Sequence, residues 1–444
     1  MLISTFAKHT AALPRSIGWR AALVIAVGAS VQVVLAVGLM AQAIGGWSIV
    51  AWGVTACVGA LQCLLLVDLA QRDPNRAGGT ATYAAAAFPQ YPLVGAISGW
   101  AYWFAWTPGI AVNVLFAAEY LQAAFLPGVS PWLLGAIMLL ALYGVNLLGL
   151  ATSIRTSVVL AVCALVPLAL IALAPLLQTG MFVAARITVV PAGVGQSDML
   201  KWMFVAAWSA YGAEMVSSVV AELRDPERGA GRALGVAAIT VLCAFIAIPA
   251  ALLGLVGAAQ LGEDPATALL PAAEAVVGSW GAGLLVLLLV SALLLGAYTF
   301  LVSSSRTIYQ MSQDGLLPRF CGQVNRNGVP VGSLLFDLSV TLILLTIFQT
   351  ALIELVAAAN VPYLIVFILL PLTWLRLCGT NARPWRRALA WSLIVFNLLL
   401  LVFGGAQWGA VVVGVGVVGT LAVLPLRWWW RWVDARSSVE PHDG

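Results

Sequence analysis

Glu214 is a carboxylate in a place where carboxylates are costly. It closes the run Trp208-Ser209-Ala210-Tyr211-Gly212-Ala213-Glu214, midway along an apolar stretch, and no Lys or Arg lies at that depth. Ionisable groups inside hydrocarbon mark partners, relays or water-filled paths. A carboxylate with no charged partner can exchange protons or receive a cationic substrate. The plainer alternative is an acid hydrogen-bonded to neighbouring backbone. Three further acids fall within apolar runs and read as structural. Glu119 stands near the end of its run, within reach of water, Asp337 reads as a local cap or pair, and Glu354 is marginal, close to a run's end.

Nucleophilic and metal chemistry lack the residues they need. The only histidines, His9 and His442, are terminal. Cys57, Cys63, Cys163 and Cys243 sit in apolar runs, Cys321 and Cys378 in polar connectors, and no pair has CxxC spacing. Zinc sites and disulfide frameworks require clusters. A membrane-embedded enzyme would need grouped His, Asp or Ser near an interface, so no enzyme, metal or cofactor is expected.

Small residues come next. Gly28-Ala29-Ser30 and Gln32 lie a third to halfway along the first apolar run, and Ser209 and Gly212 lie at comparable depth in the sixth. Carriers bind substrates near the midplane, where interrupted helices expose backbone groups. A lone glycine more often serves close packing. Matched positions in the first helices of two five-helix halves point instead to a broken-helix site. Aromatics cluster at Tyr102, Trp103 and Trp106, at Trp208 and Tyr211, and at Tyr298 and Phe300. Most such rings pack or face lipid, but a ring beside a bound amine also attracts it. Convergence with Glu214 makes Tyr102, Trp208, Tyr211 and Phe300 site candidates.

The elements that must hold these residues follow from composition. Of 444 residues, 62% are hydrophobic and 9% charged, with mean hydropathy +1.02. Soluble chains average about 45–50% apolar and about 25% charged, so a soluble enzyme is excluded and an integral membrane protein is expected. A spanning helix needs about 20 apolar residues. Twelve runs qualify: 20–41, 47–69, 93–125, 131–150, 156–177, 200–220, 232–257, 279–310, 332–350, 353–375, 388–404 and 408–426. With the N-terminus inside, all but Arg186 and Lys201 of the 21 Lys and Arg residues fall on the cytoplasmic side, as the positive-inside rule requires. Both termini are thus expected in the cytoplasm, and the net charge of +4 needs no nucleic acid to explain it. Lys8, Arg15 and Arg20 lead directly into a full-length span, so no cleavable signal is expected. The longest outer connectors, 178–199 and 258–278, are too short to fold alone. The cluster Arg427-Trp428-Trp429-Trp430-Arg431-Trp432 reads as an interfacial aromatic belt with basic anchors.

Four segments resemble the amino acid–polyamine–organocation transporter family. Arg76-Ala77-Gly78-Gly79-Thr80-Ala81-Thr82-Tyr83 with Phe88 is similar to its AGG-x-Y-x-Y stretch after helix two. Ala221-Glu222-Leu223-Arg224-Asp225-Pro226-Glu227-Arg228 resembles its E-x-x-x-P-x-R stretch after helix six. Ser305 to Pro318, with Val324 to Pro330, resembles its loop after helix eight, and Asn146-Leu147-Leu148-Gly149 fits before span five.

The resemblance covers roughly residues 20–380. It implies an all-α, twelve-helix fold with a LeuT-type 5+5 inverted repeat: 1–19 cytoplasmic, 20–177 and 200–376 as the two halves, 388–426 as two extra helices, and 427–444 as a cytoplasmic tail. It further implies a permease for amino acids or organic amines in the cell membrane, proton-coupled or exchanging, with a transporter-like regulatory subunit as the alternative and a homodimer left open. Helices one, three, six and eight would form the site. In members similar to arginine/agmatine antiporters, a helix-six aromatic gates the site and a Glu six residues later handles protons or cations. Trp208 and Glu214 stand at those places, and Tyr102 and Phe300 correspond by spacing to other site aromatics. One departure matters. Counting back from Gly45-Gly46, the family's glycine-rich break in helix one falls at Val31-Gln32-Val33, one turn after Gly28-Ala29-Ser30. Either the break is shifted or the clamp for a substrate carboxylate is weakened, which would favour an amine. The basic residue that some proton-coupled relatives carry in helix five is also missing, since residues 156–177 hold no Lys or Arg.

Overall fold

A computed structural model describes residues 12–177, 180–261, 269–347 and 352–437. Lys8, His9, His442 and parts of both long connectors lie outside the described residues. The described chain is helical and carries no strand beyond a single bridge between Ile17 and Leu223. In order, the helices are α1 (Trp19–Ser30), α2 (Val33–Ile44), α3 (Trp47–Arg72), α4 (Tyr83–Ala87), α5 (Pro92–Phe125), α6 (Pro131–Leu147), α7 (Leu150–Leu177) and α8 (Gln196–Ala210). A 3₁₀ segment (Gly212–Glu222) follows, then α9 (Pro226–Val256), α10 (Leu270–Val277), α11 (Gly281–Gln313), α12 (Val331–Ile347), α13 (Leu352–Leu377), α14 (Pro384–Leu399), α15 (Ala410–Leu421) and α16 (Val423–Ser437). Among the described residues, nine helical stretches are long and apolar enough to cross a membrane, and Trp19–Ser30, Pro131–Leu147 and Val331–Ile347 are shorter apolar helices.

Chain chemistry sets many of these boundaries. Pro92, Pro131, Pro226 and Pro384 each open a helix, where proline's missing N–H costs nothing. Asp225 caps α9 by accepting from the Arg228 amide at 3.2 Å, a bond that satisfies one of the free N–H groups of the first turn. The helices overrun the apolar runs, because their polar last turns still gain backbone hydrogen bonds: α9 starts at Pro226 and α11 continues to Gln313.

Burial separates centre from rim. All of the apolar window in Gln196–Glu222 is buried and 89% of that in Pro92–Phe125, against 17% in Ala410–Trp430. The rim exposes large apolar side chains such as Ile137, Val159, Ile239, Val411 and Val418, as a lipid-facing surface does. α5 and α11 lie along one another at the centre, with α3 against α9, α7 against α11, and α13 against α5.

Both described ends of the chain meet one end of the bundle, which we call the terminal face. The Arg15 guanidinium donates to Asn75 at 2.7 Å, and Trp430 lies beside Ser312 and Arg319 at the end of α11. This face is tightly tied. The Ser16 and Ile17 amides both donate to the Glu222 carbonyl. Arg306 is fully buried inside α11 and donates to the Glu222 carboxylate at 3.0 Å. Removing one partner of such a buried pair costs about 3–5 kcal/mol. Arg76 pairs with Asp314. Burial pushes the Asp314 carboxyl up from its ordinary value, and the Arg76 guanidinium pulls it the other way.

Candidate functional site

The first and sixth apolar runs are both interrupted, and the interruptions touch. α1 ends at Ser30, and Val31 and Gln32 turn with ψ of −14° and −11° before α2 begins. α8 ends at Ala210, Tyr211 turns with ψ of −3°, and the chain continues as the 3₁₀ segment. The first break lies at Val31–Gln32, at the place counted back from Gly45-Gly46, and not within the glycine-bearing triplet. No glycine or proline marks it. Such interruptions leave backbone groups at helix ends that a ligand can use, as broken membrane helices do.

Ser209 donates its hydroxyl to the Ser30 carbonyl at 3.2 Å. A β-carbon on Gly212 would stand 2.9 Å from both the Ala29 β-carbon and Ser30 Oγ, so only glycine lets the two breaks meet. Gly28 faces the Thr299 hydroxyl on α11. Gln32 donates its amide to the Ala292 carbonyl at 3.4 Å.

Glu214 is 1% exposed, and its carboxylate is not alone. Oε1 accepts from the Tyr102 hydroxyl at 2.7 Å and from Tyr363 at 3.3 Å. Oε2 accepts from Thr80 at 2.7 Å and from Ser217 at 3.5 Å. An ionised carboxylate has about four accepting positions, and hydroxyls from α5, α13, the 76–83 stretch and the 3₁₀ segment meet them. Among the described residues no basic side chain pairs with it, but four neutral donors do. The hydroxyls also have other partners. Tyr102 lies 3.1 Å from Ser303 Oγ, and Thr80 lies 3.3 Å from Ser217 Oγ.

Trp208 packs on Trp106 and Phe300, with ring centroids at 5.4 and 5.2 Å, and its indole donates to the Ala105 carbonyl at 3.3 Å. Trp106 stacks on Phe300 at 4.6 Å. Above this layer, in the half of the bundle remote from the terminal face, lies a small cavity of about 40 Å³. Trp52, Phe116, Val205 and Trp208 line it, with Gln32 and Ser209 as its polar members.

Thus Ser30, Gln32, Trp208, Ser209, Gly212, Phe300, Tyr102 and Glu214 converge around the two breaks, and Gly28 and Ala29 form their packing surface. Tyr211 points elsewhere: its hydroxyl donates to Asn397 on α14 at 3.0 Å, and its ring packs on Phe367. Asp337 is not a local cap. It is fully buried and accepts from Trp103, Thr107, Tyr143 and Ser304 at 2.7–2.8 Å, tying four helices together.

Sequence reasoning missed Thr80, Ser217 and Tyr363 around Glu214, and Asn113 and Thr299 beside the first break. Asn113 had a signal, an amide at mid-run in α5. Tyr363 had none, because only packing brings α13 to Glu214.

A family model described as amino acid permease matches residues 17–428. The γ-aminobutyric acid permease of Escherichia coli (strain K12) is 25% identical over 403 residues, covering 83% of this chain and 84% of that protein. An arginine/ornithine antiporter of Pseudomonas aeruginosa is 27% identical over 329 residues, 70% of this chain and 66% of the relative. A lysine-specific permease of Lactococcus lactis is 23% identical over 316 residues, 64% of this chain and 60% of the relative. The chain spans less than two thirds of the length of the last two.

Proposed function

The chain belongs to the amino acid permease family, and from that premise we propose that it moves amino acids or related organic amines across the cell membrane by alternating access, coupled to protons at Glu214. The observation that carries this reading is the hydroxyl cage of a buried carboxylate beside two touching helix breaks. When Glu214 takes up a proton, one hydroxyl loses its acceptor. Tyr102 can then turn its proton to Ser303, and Thr80 can turn its own to Ser217, over 3.1 and 3.3 Å. Protonation therefore leaves no hydroxyl stranded, and an unsatisfied buried group would otherwise cost about 1–3 kcal/mol. The cage suits a site that must hold both protonation states.

Substrate would bind at the breaks, with its carboxylate toward the first break and its amino group toward the helix-six side. A break at Val31–Gln32 keeps such a clamp without the family's glycines, which supports an amino acid over a bare amine. Trp208, which lines the cavity beside the breaks, would close over the bound substrate. The cavity lies in one half of the bundle while ion pairs and the 12–18 segment close the other, as one half-cycle of alternating access requires.

The remaining architecture belongs to the same proposal. The helices comprise twelve spans with α1 and α2 forming the first, residues 20–177 and 200–376 are inverted halves, and the terminal face is cytoplasmic. The test is uptake of labelled amino acids, one by one, into proteoliposomes with an imposed pH gradient, acid outside. Accumulation above equilibrium that a protonophore collapses is expected. Exchange that ignores the gradient would remove proton coupling, and no flux with any amino acid or amine would remove the carrier reading.

A further inference from the structure

The polar side chains around the first break carry no charge, and several have no partner. Gln32 Oε1, both amide atoms of Asn113, Ser30 Oγ and Thr299 Oγ1 are buried without a hydrogen-bond partner among the described residues. Gln32 is 2% exposed and Asn113 fully buried. The two amides flank Gly296 on α11: a β-carbon there would collide with the Gln32 amide and stand 3.3 Å from Asn113 Nδ2. Orphaned amide groups in a membrane interior are expensive, so a ligand that pairs with them gains what they have lost. Together they offer acceptors for an ammonium and a donor for a carboxylate, and no net charge.

The cavity next to them sets the other half of the ligand. Its walls are aromatic and aliphatic, and no charged side chain lines it. Glu214 is already engaged by four hydroxyls. Glu354 is exposed, and Glu119, one turn beyond Phe116, is half-buried with an interaction of its own. Lys201, adjacent to the wall residue Trp202, lies over the Trp408 ring at 4.9 Å. A guanidinium or ammonium side chain entering this cavity would lose its water and meet no counter-charge, which apolar pockets reject strongly.

We infer that the substrate is an amino acid of zero net charge with an apolar side chain, its head group held by the Gln32–Asn113 amide pair and its side chain in the Trp52–Phe116–Val205 cavity. This rests on the transport reading above and narrows its substrate class, away from the cationic substrates in the names of several relatives.

The experiment is a thermal-shift and counterflow panel on the purified full-length protein, using L-leucine, L-phenylalanine, L-arginine, L-ornithine and γ-aminobutyrate. Leucine or phenylalanine is expected to raise the melting temperature and drive counterflow, with arginine and ornithine at least tenfold weaker. Asn113→Ala and Gln32→Leu should each weaken the preferred ligand at least tenfold while elution volume and helicity are kept. Arginine, ornithine or γ-aminobutyrate preferred over both apolar amino acids would overturn the inference and leave the transport reading standing. Silence from the whole panel would instead count against the transport reading. Wild-type affinity in both variants would remove the amide pair from recognition. Should neither variant fold, the wild-type panel decides the substrate class alone.

Discussion

At the scale of single residues, Glu214 and Trp208 are the side chains whose replacement tests the transport reading most directly. Glutamine at 214 mimics the protonated acid and cannot cycle, yet its carbonyl still accepts from Tyr102 or Thr80. Exchange of substrate across a proteoliposome should therefore survive in Glu214→Gln, while accumulation driven by a pH gradient disappears. Loss of binding and exchange together would mean that the carboxylate anchors the substrate's amine directly. Unchanged accumulation and pH dependence would reduce Glu214 to a structural hydrogen bond. Trp208 lines the cavity next to Gln32 and Ser209 of the breaks. Trp208→Ala should weaken substrate binding by about 2 kcal/mol, roughly thirtyfold, as removal of a central aromatic anchor does. Calorimetric titration reads this directly. Intact affinity with a collapsed melting temperature would make the ring mere packing against Trp106 and Phe300.

At the scale of elements, the site exists because α1 and α8 stop where they do and because their stumps touch. That contact depends on Gly212, where a β-carbon would press on Ala29 and Ser30 at 2.9 Å. Gly212→Val should force the breaks apart, with an overpacking cost of about 1–3 kcal/mol and transport lost well before the fold. Uptake measured beside detergent melting temperature checks this, and normal uptake would show that the breaks need not touch. The surrounding helices are pinned by a second carboxylate. Asp337 joins α5, α6, α11 and α12 through four donors, and so holds rigid the helix that carries Tyr102, Trp106 and Asn113.

At the scale of the whole molecule, the two faces differ in what closes them. The terminal face carries the Glu222–Arg306 and Arg76–Asp314 pairs and the strapped 12–18 segment. The opposite end carries the 184–195 connector over the Gly45-Gly46 turn, where the Gly46 amide donates to Val189 at 2.8 Å. Single cysteines introduced at 184–195 and at 315–328 should therefore react with a membrane-impermeant maleimide from opposite sides, the former from outside intact cells and the latter only after permeabilisation. Labelling of both from one side would dismantle the topology, and with it the inverted halves.

What the chain's order of residues determined is what depends on local windows. Apolar run length measured against bilayer thickness marked the helical stretches, the Lys and Arg bias gave the expected sidedness of the connectors, and spacing from Gly45-Gly46 gave one of two places for the first break. Glu214 stood out because a carboxylate in hydrocarbon is costly wherever it points. The tertiary structure alone decided what surrounds it. Thr80, Tyr102 and Tyr363 reach one carboxylate from positions far apart in the chain, Arg306 finds Glu222 across the core, and Tyr211 turns away toward Asn397. Such pairings follow from how helix faces pack and which polar atoms that packing strands or satisfies, and no window of neighbouring residues contains that information.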